Sequence, residues 1–324
     1  MSLIEKRRLG KSGIEITKLG LGLWAIGGTE WGETDDKESL DMISAALDLG
    51  INFFDTADIY GDGHSEVLLG KAMQGRREKF IVASKIGWNG FDHEKGVSVY
   101  TTVDKLVAGV ESSLQRLGTD YLDLIQCHID FREPNMEIYV AGFQKLQAQG
   151  KVRAYGVSTS DFEYLQEFNA DNKTSTLQID YSILNRTPEK DIFPYTMAHD
   201  IGVLVRGPLA MGILTGKFTR TSTFGEGDFR QNWVRNEKEN QIFQNDLDKV
   251  QKLEPLANGR TLAQLAIQFV MQHPAVTVAI PGAKRISQLK DNLKAALLPE
   301  LTDDDLKVID SVTPPGGGRK IWPA

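Results

Sequence analysis

Eight short apolar runs, separated by segments of helical periodicity, limit what this chain can fold into more than any other feature of it. They lie near residues 18–23, 51–55, 80–85, 122–127, 153–157, 177–180, 202–205 and 276–280. Bounded by glycine or charge, they have the length and composition of parallel strands buried on both faces. Between them the apolar residues take helical spacing. Leu106, Val110, Leu114 and Leu117 share one face, and Leu262, Leu265, Ala266, Phe269 and Val270 repeat the pattern. Thr101 followed by Asp104 reads as a capping box for the first of these. Gly50, Gly118, Gly150 and Gly202 each stand between a helical pattern and the next run, where a C-terminal cap favours positive φ. A βα period repeated eight times closes a (β/α)8 TIM barrel. An N-terminal hairpin around Lys11-Ser12-Gly13 precedes it.

With 324 residues and 41% hydrophobic content, one such barrel accounts for the chain, so residues 1–324 are expected to form a single domain. Two segments break the alternation: a long loop at 210–235 after the seventh run, and a Gly/Pro-rich C-terminal tail at 314–324 carrying Trp322. Loops of this length are often lids or binding loops, and both segments fit either a cover over the barrel mouth or plain surface chain. The net charge is −7 with signs interspersed and no run of five Lys or Arg, which argues against nucleic acid or an anionic membrane as partner. Neither a signal peptide nor a membrane span of about 18 apolar residues is present, and the single cysteine, Cys127, leaves no intrachain disulfide. A cytoplasmic location is expected. The histidines at 64, 93, 128, 199 and 273 form neither His-x-His nor His-Glu-x-x-His, so no metal site is expected.

Function concentrates where the runs end. Asp55, Lys85 and His128 each close an apolar run, and Tyr60 follows Asp55 by five residues, enough to turn its phenol back over the mouth. In such barrels chemistry is done at the carboxyl ends of the strands. Alternation along a strand points Gln126 and His128 to the barrel axis and Cys127 to the helix layer, so Cys127 reads as packing. Asp55 would hold Lys85 charged, and the ammonium would favour the Tyr60 phenolate and lower its pKa. A neutral His128 would hydrogen-bond a substrate oxygen or pass a proton to Tyr60. Together the four residues make a general acid beside a polarised carbonyl.

The quartet and its surroundings resemble the aldo-keto reductases from about Arg8 to Val312. The stretch Asn52-Phe53-Phe54-Asp55-Thr56-Ala57-Asp58-Ile59-Tyr60-Gly61, with Ser65-Glu66 and Leu69-Gly70, is similar to the first signature of that family. Further matches follow in order at Ala83-Ser84-Lys85, at Tyr121 to His128, at Gly156-Val157-Ser158 and at Ile280-Pro281-Gly282. The resemblance implies NADPH-dependent reduction of an aldehyde or ketone, with Tyr60 as proton donor assisted by Lys85, Asp55 and His128. It places the cofactor across the barrel mouth. Ser158 and Gln178 would hold the nicotinamide carboxamide, with further contacts from Trp24, Thr159, Arg206, Pro208, Leu209, Gly282, Lys284, Arg285, Gln288 and Asn292. At two of these positions the chain departs from the common pattern, with Arg206 where an aromatic ring often stacks and Thr159 where asparagine is frequent. Gly20-Leu21-Gly22-Leu23-Trp24-Ala25 satisfies a dinucleotide fingerprint but is read as a decoy, because Ile26-Gly27-Gly28 is not expected to open a helix after it.

Lys284 and Arg285 stand at the start of a helical pattern, where the positive end of the dipole disfavours cations. A 2′-phosphate would relieve that conflict, so NADPH is expected over NADH. Trp24, Ile59, Trp88, Ile129 and Phe131 fit either the wall of a substrate cleft or ordinary packing, and Asp130 either a substrate contact or solvent. Two rival functions stand: a cofactor-sensing module with little turnover, as the potassium-channel beta subunits of this family illustrate, and a Schiff-base lyase using Lys85. The second is disfavoured because Asp55 would keep the lysine protonated.

Overall fold

Two antiparallel strands, β1 (Lys6–Arg8) and β2 (Glu15–Thr17), open the chain with Arg7 opposite Ile16. They form the hairpin predicted around Lys11-Ser12-Gly13. Eight parallel strands follow: β3 (Leu21–Gly22), β4 (Phe53–Asp55), β5 (Ile81–Ile86), β6 (Leu122–Cys127), β7 (Val152–Ser158), β8 (Thr176–Asp180), β9 (Gly202–Arg206) and β10 (Val276–Ala279). They pair in chain order, and parallel bridges from Leu19 to Ala279 and from Gly22 to Gly282 join the first to the last. This is the expected TIM barrel. The computed structural model describes residues 4–27, 31, 34–88, 98–128 and 135–321. Ile129, Asp130, Phe131 and Trp322 therefore lie outside the described residues.

The helices are α1 (Trp24–Gly27), α2 (Asp36–Asp48), α3 (His64–Met73), α4 (Val103–Leu117), α5 (Asn135–Ala148), α6 (Phe162–Phe168), α7 (Ile192–Ala198), α8 (Asn232–Arg235), α9 (Glu237–Leu253), α10 (Leu262–Gln272), α11 (Ile286–Ala295) and α12 (Asp303–Val312). Three local expectations are corrected. The cap of α4 is Thr102 rather than Thr101: its hydroxyl accepts from the Lys105 N–H at 3.2 Å, and Thr101 instead receives the Lys105 ammonium. Gly50, Gly118 and Gly150 take positive φ, but Gly202 does not. There Asp200 adopts the left-handed turn at φ 50°, and Gly202 opens β9 because a Cβ would stand 2.8 Å from the Gly10 nitrogen. Finally, the Gly20 to Ala25 fingerprint does run into a helix, the single turn α1 that begins at Trp24.

Period-two alternation sorts the barrel side chains into two layers. Cys127 joins the outer layer, under the helices, as expected. Inward, Phe53, Ala83, Leu124, Ala154, Leu204 and Val278 pack with Leu9, Ile14 and Ile16 of the hairpin. The hairpin thus plugs the amino-terminal end of the barrel. Two residues further along the same strands, on the same inward face, come Asp55, Lys85, Gln126, Gly156, Arg206 and Ile280. One register therefore sets an apolar floor and a polar layer directly above it.

The 210–235 segment is not plain loop. Ala210, Met211 and Gly212 follow β9 in left-handed conformation, at φ 49°, 55° and 94°, and the segment ends in α8. It folds back over the mouth, with the Phe229 ring stacked 6.0 Å from that of Trp24 at 12° between planes. The tail is pinned as well: Gly318 bridges to Asn185, and the Ile321 N–H donates to Asp180 Oδ2 at 2.8 Å. No helix among the described residues is long and apolar enough to cross a membrane.

Candidate active site

The structure brings the four predicted residues together. Lys85 Nζ, on the inward face of β5, donates to Asp55 Oδ1 at 2.6 Å, to the Thr56 carbonyl at 2.9 Å and to Tyr60 Oη at 3.0 Å. An ammonium has three hydrogens, and all three are used. Tyr60 Oη therefore receives a hydrogen from Lys85 and keeps its own O–H free to donate toward the cleft. The His128 ring lies 5.8 Å from the Tyr60 ring, nearly perpendicular to it. Asp55 has a second task. Its Oδ2 accepts from Gln178 Nε2 at 2.8 Å, so the amide NH2 faces the carboxylate and the Gln178 oxygen is left for a donor.

Burial opposes both charges of the Asp55–Lys85 pair and raises the Asp55 carboxyl, yet each Asp55 oxygen accepts from a donor. The pair stands as carboxylate and ammonium. Although burial pulls Lys85 down, Asp55 and Tyr60 hold its pKa above the usual lysine range, so it is not a free amine nucleophile. His128 is pushed well below the usual histidine range by burial and by Lys85 and Arg206, which keeps it neutral as expected. Tyr60 corrects the expectation of a lowered pKa. Burial raises it and outweighs the opposing pull of Lys85, so the phenol holds its proton in the free protein.

Above the quartet opens a cleft of about 480 Å³. Trp24, Ile59, Tyr60, Trp88 and His128 form one wall, and the Trp24 ring stacks 6.1 Å from that of Tyr60. Ser158, Gln178, Arg206, Pro208, Leu209, Gly282, Lys284 and Gln288, which the sequence resemblance assigns to the cofactor, also line the cleft. The model of the Aldo/keto reductase family matches residues 18–314. The chain belongs to that family.

Relatives agree with this. The chain is 36% identical over 292 residues to Aldo-keto reductase YhdN of Bacillus subtilis, covering 89% of this chain and 87% of the relative. It is 33% identical to an NADH-specific methylglyoxal reductase of Escherichia coli, covering 93% and 96%, and 31% identical to a probable voltage-gated potassium channel subunit beta of Arabidopsis thaliana, covering 95% and 96%. Among solved structures, the glycerol dehydrogenase AKR11B4 of Gluconobacter oxydans superposes with a TM-score of 0.80 at 34% identity, covering 92% of each chain. An aldo/keto reductase of Klebsiella pneumoniae in complex with NADP and acetate gives 0.75 at 25%, covering 99% and 100%. This aldo-keto reductase is an NAD(P)H-dependent oxidoreductase.

Three predicted cofactor residues do not line the cleft of the reductase. Thr159 is buried, with its hydroxyl accepting from the Asp161 N–H. Arg285 is the exposed N-cap residue of α11, and Asn292 is buried beneath it, donating to the Gly282 carbonyl. The helix start is capped by Gln288, whose Oε1 accepts from both the Lys284 and the Arg285 N–H, so a local acceptor meets the donors there. Lys284 turns across the mouth to the Trp31 carbonyl. Sequence reasoning missed Trp31, Lys217, Phe229 and Arg230, which also line the cleft. Their only signal was membership of an unusually long loop or of the segment after the first strand. Lys217, Arg230 and Lys284 lie close enough that each lysine's pKa is lowered, by burial first and then by Arg230. Such a cluster fits a polyanionic cofactor, and the oxygen of Gln178 fits a carboxamide N–H.

Proposed function

We propose that this reductase reduces an aldehyde or ketone to an alcohol with NADPH, and that Tyr60 protonates the carbonyl oxygen. The observation that carries the reading is the saturation of Lys85 by Asp55, Thr56 and Tyr60, which leaves the phenol hydrogen for the substrate. Bound NADPH supplies the hydride. The protein does the rest. Trp24, Trp88 and Ile59 hold the carbonyl compound against Tyr60 and exclude water, and neutral His128 hydrogen-bonds its oxygen. As negative charge develops on that oxygen it becomes more basic than a phenolate and takes the Tyr60 proton, and Lys85 stabilises the phenolate left behind. Lys217, Arg230 and Lys284 would hold the cofactor phosphates. The 2′-phosphate is assigned to Lys284 and Arg285.

The test is turnover of the purified protein with NADPH or NADH against aromatic aldehydes, dicarbonyls and aldoses. Tyr60→Phe should lose at least about a hundredfold in rate with cofactor affinity kept, because a general acid contributes about 10²–10⁴. A smaller loss would remove Tyr60 as proton donor. The double variant Lys284→Ala, Arg285→Ala should narrow the NADPH over NADH preference, and an unchanged ratio would refute the phosphate assignment. Silence across the panel together with NADPH binding would favour the sensing role that the potassium-channel relative suggests.

A further inference from the structure

Arg206 closes β9 on the inward face, two residues above the floor residue Leu204, and its guanidinium lines the cleft. It is poorly compensated. Nη1 is shielded from solvent and has no hydrogen-bond partner, and Nη2 makes a single long contact, 3.5 Å to Ser160 Oγ. No carboxylate comes within ion-pair distance of it among the described residues. Asp180 is its strand neighbour in register, but that carboxylate accepts from Asn185 Nδ2 and the Ile321 N–H instead. Burial lowers the Arg206 pKa and Asp180 only partly restores it. Tyr60 and His128 both feel its field. Asp55 and Lys85 offset each other, and Arg206, only partly offset by Asp180, adds a positive field to the chamber around the Tyr60 hydroxyl.

The consequence rests on the proposed reduction. A hydride donor must approach a carbonyl held at Tyr60 to about 3–3.5 Å, so its ring shares that chamber. The dihydronicotinamide is neutral, and losing hydride makes it a cation. We propose that Arg206 is a redox-poising residue: its guanidinium favours the neutral reduced ring over the cationic oxidised ring, which raises the potential of the bound couple, keeps the cleft loaded with NADPH and speeds release of NADP+ after turnover. The two forms of the cofactor differ in charge at the ring alone. Contacts to the phosphates therefore cancel in the ratio of their affinities, and the ratio isolates the field at the ring.

Equilibrium titration of the purified full chain with NADPH and with NADP+, followed by quenching of tryptophan fluorescence, tests this without turnover. Wild-type protein should bind NADPH at least about tenfold more tightly than NADP+, since an unscreened like charge at close range costs more than that factor. Arg206→Gln should shrink the ratio at least fivefold by tightening NADP+. Arg206→Lys, which keeps the charge and loses the planar fork, should keep most of it. An unchanged ratio in Arg206→Gln, or equal loss in both variants, overturns the poising role and leaves the reductase assignment standing. Failure of the wild-type protein to bind either nucleotide overturns both.

Discussion

Lys85 spends each of its three hydrogens on a different kind of acceptor: a carboxylate, a carbonyl and the phenol it serves. That geometry makes one side chain the anchor of both Asp55 and Tyr60. Three residues beyond Asp55, Asp58 is a less comfortable acid. It is 2% exposed, and no side chain donates to either carboxylate oxygen; the backbone at Gly87 and Ile59 tempers its burial only weakly. Burial, and then the neighbouring Glu66, push its pKa from 3.8 up to about 7. The folded protein binds this proton more tightly than the unfolded chain does. Its stabilising contribution is therefore complete below about pH 4 and is lost as pH rises through about 7. Asp58→Asn should be more stable than wild type at pH 8, by on the order of 2 kcal/mol, and should lose that advantage by pH 4. Parallel Tm curves for the two proteins across this range would contradict the buried-acid account.

At the scale of the element, the hairpin is as much a part of the barrel as its strands. Leu9, Ile14 and Ile16 complete the inner core, and close backbone contact at Gly10 makes this possible. Gly10 has φ 50°, and a Cβ there would stand 2.4 Å from both the Gly202 nitrogen and the Ser175 carbonyl oxygen. Backbone cannot retreat as a flexible side chain does, so Gly10→Ala should cost on the order of 2–4 kcal/mol and lower Tm. KM should be unaffected below the transition, because the hairpin closes the end opposite the cleft. The segment after β9 is an element in its own right at the other end. Phe229 and Trp24 stack across the mouth, and the Arg230 guanidinium lies 4.9 Å from the Trp31 ring. Helical and left-handed turns hold it there, which its glycine- and threonine-rich sequence did not announce.

Across the whole molecule the charge is divided unevenly. The chain is acidic, at −7, yet Lys217, Arg230 and Lys284 gather at one mouth beside Arg206. A local positive field in an acidic protein steers an anionic cofactor to the cleft. The association rate of NADPH, measured by stopped-flow fluorescence, should therefore fall as ionic strength rises, and Lys217→Ala should flatten that dependence. A rate insensitive to salt would leave the cluster without a steering role. The eight strands, the meeting of Asp55 and Lys85 at one end of the barrel, the inward parity of Gln126 and His128, and the outward turn of Cys127 were legible in the sequence. Each depends on the period of a strand and on residues adjacent in the chain. Tertiary structure alone decided that Lys217, Phe229 and Arg230 face the cleft while Thr159, Arg285 and Asn292 do not, and that Tyr60 keeps its proton against the pull of Lys85. Those outcomes depend on burial, and burial is summed over neighbours brought together from distant parts of the chain.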